Sequence, residues 1–185
     1  CHSHPEDEED ALLGAEKFQI PTLTIDLKDI FDPFVELLIS ADPDVEAKGL
    51  STVNMKPRLR MITLYHFAAK YNRLVIGTGN KSEITIGYFT KYGDGGADLL
   101  PMGNLVKHQV YELARYLDVP DKLIQKPPTA GLWEGQTDEN EMGMGYNDLD
   151  RFILTGEGRP EIIEKITNMN VRSEHKRRRP PIPEF

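Results

Sequence analysis

The feature that most narrows the fold is a junction near the middle of the chain. Leu74-Val75-Ile76 is a short continuous apolar run, and Gly77-Thr78-Gly79-Asn80-Lys81-Ser82-Glu83 follows it directly. An apolar run of that length without polar alternation reads as a strand buried on both faces. The polar stretch after it opens a helix expected over residues 80–89. Strand, glycine turn and helix are the parts from which parallel sheets are wound. The junction therefore predicts an α/β fold of three layers, a parallel sheet with helices on both faces.

The rest of the chain alternates in the same sense. Pro5 to Phe18 reads as a helix whose first turn is packed with carboxylates, which suit the positive end of its dipole, and Ala11, Leu12, Ala15 and Phe18 share one face. Ile20 to Leu27 alternates like a strand. Asp29 to Ser40 places Ile30, Phe34, Leu37 and Leu38 at helical spacing. A longer helix is expected from Thr52 to Tyr71, started or kinked by Pro57, with Met61, Ile62, Leu64, Tyr65 and Ala68 on its apolar face. Further helices are expected at Lys107–Leu117, Tyr146–Leu154 and Pro160–Asn168. Lys126 to Gly145 holds two prolines and four glycines; a connection that long reads as a mobile active-site loop. Residues 1–185 form one domain, and residues 174–185 a basic, proline-rich tail.

Composition closes several classes. Hydrophobic residues make up 39% of 185, enough for a core, and no apolar run approaches the ~20 residues of a membrane span. A single cysteine excludes an intrachain disulfide and fits a reducing, cytoplasmic setting. The net charge of −8 argues against nucleic-acid binding, so the basic run Ser173-Glu174-His175-Lys176-Arg177-Arg178-Arg179 reads as a local anion site. The acidic start is unlike a signal peptide, and a first residue of Cys rather than Met is read as an N-terminally incomplete chain. Cys1, His2 and His4 resemble metal ligands but have no second cluster, and no Ser/His/Asp arrangement stands out.

Three stretches carry chemistry. At the junction, ligands bind outside the carboxyl ends of strands, so Thr78 and the glycine amides face a nucleotide and Glu83 offers a hard oxygen to its Mg²⁺. The plainer alternative is a strand–helix turn with a helix-stabilising glutamate. Lys91 and Asp98 bracket a glycine-rich loop, as a cation for phosphate or carboxylate and an acceptor, or else as a solvated turn. Arg58 and Arg60, two apart on a helix, point to different faces, so at most one faces a given ligand. Lys107, Lys126 and Thr129 precede Trp133, an aromatic in a glycine loop that reads as a closing flap.

The order of these motifs is more specific than any one of them. GTGNKSE, then GYFTKYGDGGADLLP, then KPPTAGLWEGQTDENEMGMGY, then SEHKRR resembles the ammonia-dependent NAD synthetases, from about Glu8 to Arg178. The resemblance implies a Rossmann-like, adenine nucleotide alpha hydrolase-like fold in a homodimer. It implies that ATP adenylates the carboxylate of deamido-NAD and that ammonia displaces AMP. By position, Thr78, Lys107 and Thr129 resemble the ATP contacts, and Glu83 the Mg²⁺ ligand. Arg58, Lys91, Asp98, His175 and Lys176 resemble the deamido-NAD contacts. The family's SGGxDS pyrophosphate loop is missing, and His4–Ala11 resembles the region just after it. Two alternatives stay open: a glutamine-dependent form whose glutaminase domain is not in this chain, and another adenylating ATP pyrophosphatase such as a GMP synthetase.

Overall fold

The computed structural model describes residues 3–133 and 135–184, so Cys1, His2, Glu134 and Phe185 lie outside the described residues, and with the first two part of the metal-ligand reading. The described chain forms α1 (Pro5–Lys17), α2 (Lys28–Ala41), α3 (Leu50–Val53), α4 (Met55–Tyr71), α5 (Lys81–Ile86) and α6 (Lys107–Tyr116). These are followed by α7 (Asp121–Gln125), α8 (Asp138–Met142), α9 (Tyr146–Thr155), α10 (Pro160–Arg172) and α11 (Glu174–Arg177).

The helices begin where their sequences provide caps. His4 caps α1 by accepting from the Glu6 N–H, so its ring serves a helix end. Asn80 and Glu83 form a reciprocal capping box on α5. That helix ends at Gly87, whose φ of +69° places it in the left-handed region, and any side chain there would run into Ser173.

The expected faces of α1 and α2 are displaced. In α1 the buried residue is Asp10, while Leu12 and Phe18 stay 45% and 42% exposed. The helix meets α7 through ion pairs of Asp10 with Lys122 and Lys126, which anchor carboxylates rather than methyl groups. In α2 the inward residues are Phe31 and Val35, following Leu27 at four-residue intervals, and Ile30, Phe34 and Leu37 face outward.

Among the described residues no extended segment is laddered into a strand. Residues 20–27 run without strand pairing, and Ile20, Leu23 and Ile25 are exposed. The central junction does pair: Ile76 and Leu99 form one isolated bridge, and it is parallel. Gly77 N–H donates to the Leu99 carbonyl at 2.9 Å, and Asp98 N–H to that of Val75 at 2.9 Å. A Cβ on Gly77 would sit 2.6 Å from Leu100 and 2.7 Å from Ala97, so glycine is what lets these segments approach. Val75 is buried, but Leu74 and Ile76 are exposed, so burial on both faces does not hold for the described residues.

The core lies in the C-terminal half. Ile86, Met142, Met144, Tyr146, Leu149, Ile162 and Ile166 form one buried cluster. Beside it Asp150, 2% exposed, accepts from Ser82 Oγ and from His108 N–H, with His108 Nδ1 at 3.0 Å. A Ser/His/Asp arrangement thus exists, contrary to expectation from sequence. Its serine donates to the aspartate rather than to the histidine, so it ties α5, α6 and α9 together and makes no nucleophile.

Candidate active site

Two adjoining cavities, of about 440 and 570 Å³, share the wall formed by Arg60, Thr129 and Ala130. The smaller is lined by Arg58, Thr78, Glu83, Lys91, Thr129, His175 and Lys176 among others, and the larger by Lys107 and Thr129. Arg58 on α4 and Lys176 on α11 stand far apart in the sequence, and the tertiary fold alone brings them to one cavity. Both arginines of α4 line the smaller cavity, against the expectation that only one could. A side chain as long as arginine reaches around its helix, and Arg60 ends on Ser3 Oγ at 3.1 Å.

The predicted residues differ in how they are held. Lys107 opens α6 and pairs with Glu83 Oε1 at 3.0 Å, joining the two cavities. Glu83 Oε2 accepts from the Asn80 N–H at 3.0 Å. Thr129 Oγ1 accepts from Gly131 N–H. Arg58 Nε donates to the Lys91 carbonyl, and Lys91 Nζ to that of His175, so three motif residues from α4, the glycine loop and α11 form one chain. Lys176 Nζ donates to the carbonyls of Gly87 and Phe89, both at 2.7 Å, and burial pulls its pKa down. Asp98 does not line either cavity. Its oxygens accept from Val75 N–H and the Tyr65 hydroxyl, bracing the parallel bridge against α4.

Lys126 is committed to Asp7 and Asp10 at 2.7 and 2.6 Å, and Arg177 to the carbonyls of Ile84 and Asn170. Neither stands ready for an anion, so the basic cluster reads first as a clamp on α5 and α10.

Sequence reasoning missed a second set on the smaller cavity. Asp138, 4% exposed, accepts from the Tyr146 hydroxyl at 2.7 Å, and burial raises its pKa despite that bond. Tyr88 donates to Glu141 at 2.8 Å, and burial raises the pKa of both tyrosines, leaving them neutral donors. Lys107 Nζ lies 4.9 Å from the Tyr146 ring centroid. The only sequence signal was three carboxylates in TDENE closing a glycine loop.

Among the described residues there is no group of three or more His, Cys, Asp or Glu that would cage a metal. Glu83, Asp94, Asp138 and Glu141 line the smaller cavity, and a Mg²⁺ shared with phosphates needs only one or two protein carboxylates.

The NAD synthase family model matches residues 1–180. The chain belongs to the NAD synthase family. It is 52% identical over 183 residues to the NH(3)-dependent NAD(+) synthetase of Carboxydothermus hydrogenoformans, covering 99% of this chain and 75% of that protein. Among solved structures it resembles the NMN synthetase of Francisella tularensis with a TM-score of 0.91 and 43% identity, covering 99% of this chain and 75% of that one. It resembles the NH3-dependent NAD synthetase of Campylobacter jejuni with a TM-score of 0.74 and 30% identity, over 100% and 74% of the two chains. The fold is therefore that of the NAD synthase family. No helix among the described residues is long and apolar enough to cross a membrane.

Proposed function

We propose that this NAD synthase family member is a ligase that amidates the nicotinate carboxylate of deamido-NAD with ammonia, consuming ATP and releasing AMP and pyrophosphate. The observation that carries this reading is the convergence of Arg58, Lys91, His175 and Lys176 with Thr78, Glu83 and Thr129 on one cavity. The first group gathers cations and donors for an anionic dinucleotide; the second meets the polyphosphate at the strand–helix junction.

A carboxylate is a poor electrophile, and transfer of AMP to its oxygen creates a leaving group. Lys107 brings a fixed positive charge to the phosphates, and Glu83 holds that lysine in place. Mg²⁺, held by Glu83 when bound, would neutralise charge developing on the polyphosphate. Residues 127–132 line one cavity or the other, Thr129 and Ala130 both, and the segment is tethered by Lys56 Nζ on the Leu132 carbonyl. We assign that segment as a lid that shields the acyl-adenylate from water.

Three broader elements of the reading rest on the family. The parallel bridge at Ile76 and Leu99 is one rung of a doubly wound, adenine nucleotide alpha hydrolase-like sheet. The protein works as a homodimer, for which exposed Ile62 and Leu64 of α4 offer apolar surface. Its place is the cytoplasm.

The test is NAD formation by the full-length protein from deamido-NAD, ATP and Mg²⁺, with ammonium and glutamine supplied separately. Product with ammonium alone is expected; product with neither sinks the ligase reading. The likeness to an NMN synthetase at a TM-score of 0.91 favours a second reading, in which nicotinate mononucleotide is the acid amidated. Comparing kcat/KM for the two acids decides between them.

A further inference from the structure

Val106 stands just before the first turn of α6 and is fully buried, and its side chain has no polar atom with which to cap a helix. The amides that open α6 find their acceptors in other elements. Lys107 N–H donates to Ser82 Oγ of α5 at 3.0 Å, and His108 N–H donates to Asp150 Oδ2 of α9 at 2.8 Å. Ser82 Oγ in turn donates to Asp150 Oδ1. That hydroxyl receives the Lys107 amide and passes its own proton to the carboxylate, so the chain runs in one direction: Lys107 amide, Ser82 hydroxyl, Asp150 carboxylate.

Ser82 is 0% and Asp150 2% exposed, and neither lines a cavity. What they hold does face the cavities. Lys107 lines the larger one, and its Nζ lies 3.0 Å from Oε1 of Glu83, which lines the smaller. Ser82 and Glu83 are consecutive in α5, so one short stretch holds Lys107 at both ends: Ser82 takes its amide and Glu83 its amine. A lysine amine on a flexible stem is a well-placed charge only when both ends of the residue are fixed.

We propose that Asp150, acting through Ser82, is a positioning residue for the Lys107 ammonium. It sets the start of α6 so that the amine meets the phosphates of ATP while still paired with Glu83. The inference rests on the amidation reading above and concerns its adenylation step alone. A carboxylate suits the task because it accepts on both sides, from a hydroxyl with one oxygen and from an amide with the other. An asparagine must turn its NH2 toward either the His108 N–H or the Ser82 hydroxyl, and in either orientation one donor loses its acceptor.

The alternative is a purely structural knot among α5, α6 and α9, and a double-mutant cycle separates the two. Full-length wild type, Asp150→Asn, Lys107→Met and the double variant are compared in two measurements. Pyrophosphate exchange into ATP, dependent on deamido-NAD and Mg²⁺, reads adenylation; calorimetry gives the Kd for ATP without turnover. Asp150→Asn is expected to lower kcat of exchange at least about tenfold, with the KM for deamido-NAD within about twofold of wild type. In the Lys107→Met background the same substitution is expected to change exchange and ATP affinity by less than about twofold, because the charge it positions is gone. Ser82→Ala breaks the middle link while leaving Asp150 on the His108 amide. It is expected to show the same coupling to Lys107 and serves if the asparagine variant does not fold. Equal losses with and without Lys107 overturn the proposal, because Asp150 would then act on the fold as a whole. So does wild-type exchange in both Asp150→Asn and Ser82→Ala. Absence of exchange in the wild-type protein overturns the amidation reading instead, and the coupling is then decided by the ATP affinities alone.

Discussion

The long segment between α7 and α9 divides into two parts with opposite physical character. Residues 127–133 lie over the cavities, with Pro127, Thr129 and Ala130 exposed and Trp133 47% exposed. Residues 138–146 sink into the protein: Met142 is 1% exposed, and Met144 and Tyr146 are 6% exposed within the main core cluster. The two parts touch through the Asp138 N–H donated to the Pro128 carbonyl, and through Gln136, whose amide links the Leu132 N–H to Glu141. The first part is anchored in the protein at Leu132, which is 8% exposed and held by Lys56 and Gln136, and its other residues have little apolar area to lose if they move. The second part cannot move, because it closes the core. One glycine-rich sequence thus supplies both the proposed lid and part of the wall beneath it.

Four substitutions test that division, beginning with the largest effect. Met142→Ala empties a core site and is expected to cost about 2–5 kcal/mol in denaturant unfolding, close to the usual range for a buried methionine. A cost below about 1 kcal/mol would mean that the second half is not core. Tyr146→Phe removes the donor to a buried carboxylate and is expected to cost about 1–3 kcal/mol in the same measurement, with the fold retained.

Asp138→Asn is expected to stabilise the protein at neutral pH. Burial raises the folded pKa of Asp138 above its unfolded value, so the folded state binds the extra proton. Wild-type stability therefore falls as pH rises from the unfolded carboxylate value through the raised folded one. The asparagine variant lacks that decline, and melting temperatures of both proteins across the acidic range show it. A parallel pair of curves refutes the assignment.

The smallest change in stability falls on the lid. Lys56 is a buried lysine whose pKa burial lowers, and its amine reaches the Leu132 carbonyl at 2.8 Å. Lys56→Met is expected to leave unfolding within about 1 kcal/mol of wild type, since an apolar replacement removes a desolvated charge. It should nevertheless speed proteolytic cleavage within residues 127–133, because the tether is gone. Equal cleavage rates would show that the segment is held by other contacts.

Helix placement was legible because it rests on local chemistry. Pro5 at the start of α1, the Asn80 and Glu83 box on α5, and Gly87 and Gly156 at helix ends fix boundaries within a few residues of expectation. The faces of α1 and α2 were not, since a carboxylate row and an apolar row compete for the inward side and only the neighbour decides. The strand expected at residues 20–27 depends on a partner for its amides and finds none among the described residues.

For the site, the motifs pointed to Arg58, Thr78, Glu83, Lys91, Thr129, His175 and Lys176, and the fold brings them to one cavity. Asp98 had the right type and spacing, yet its oxygens are spent on Val75 and Tyr65. By itself the sequence determined the helices, the parallel junction and the family, because caps, glycines and ordered motifs act over a few residues. Only the tertiary structure decided which charges are free and which are consumed. Lys126 and Arg177 became braces, and Asp138 became a buried acid held by Tyr146. Charge state and solvation depend on what surrounds a side chain, and for these residues the surroundings come from distant parts of the chain.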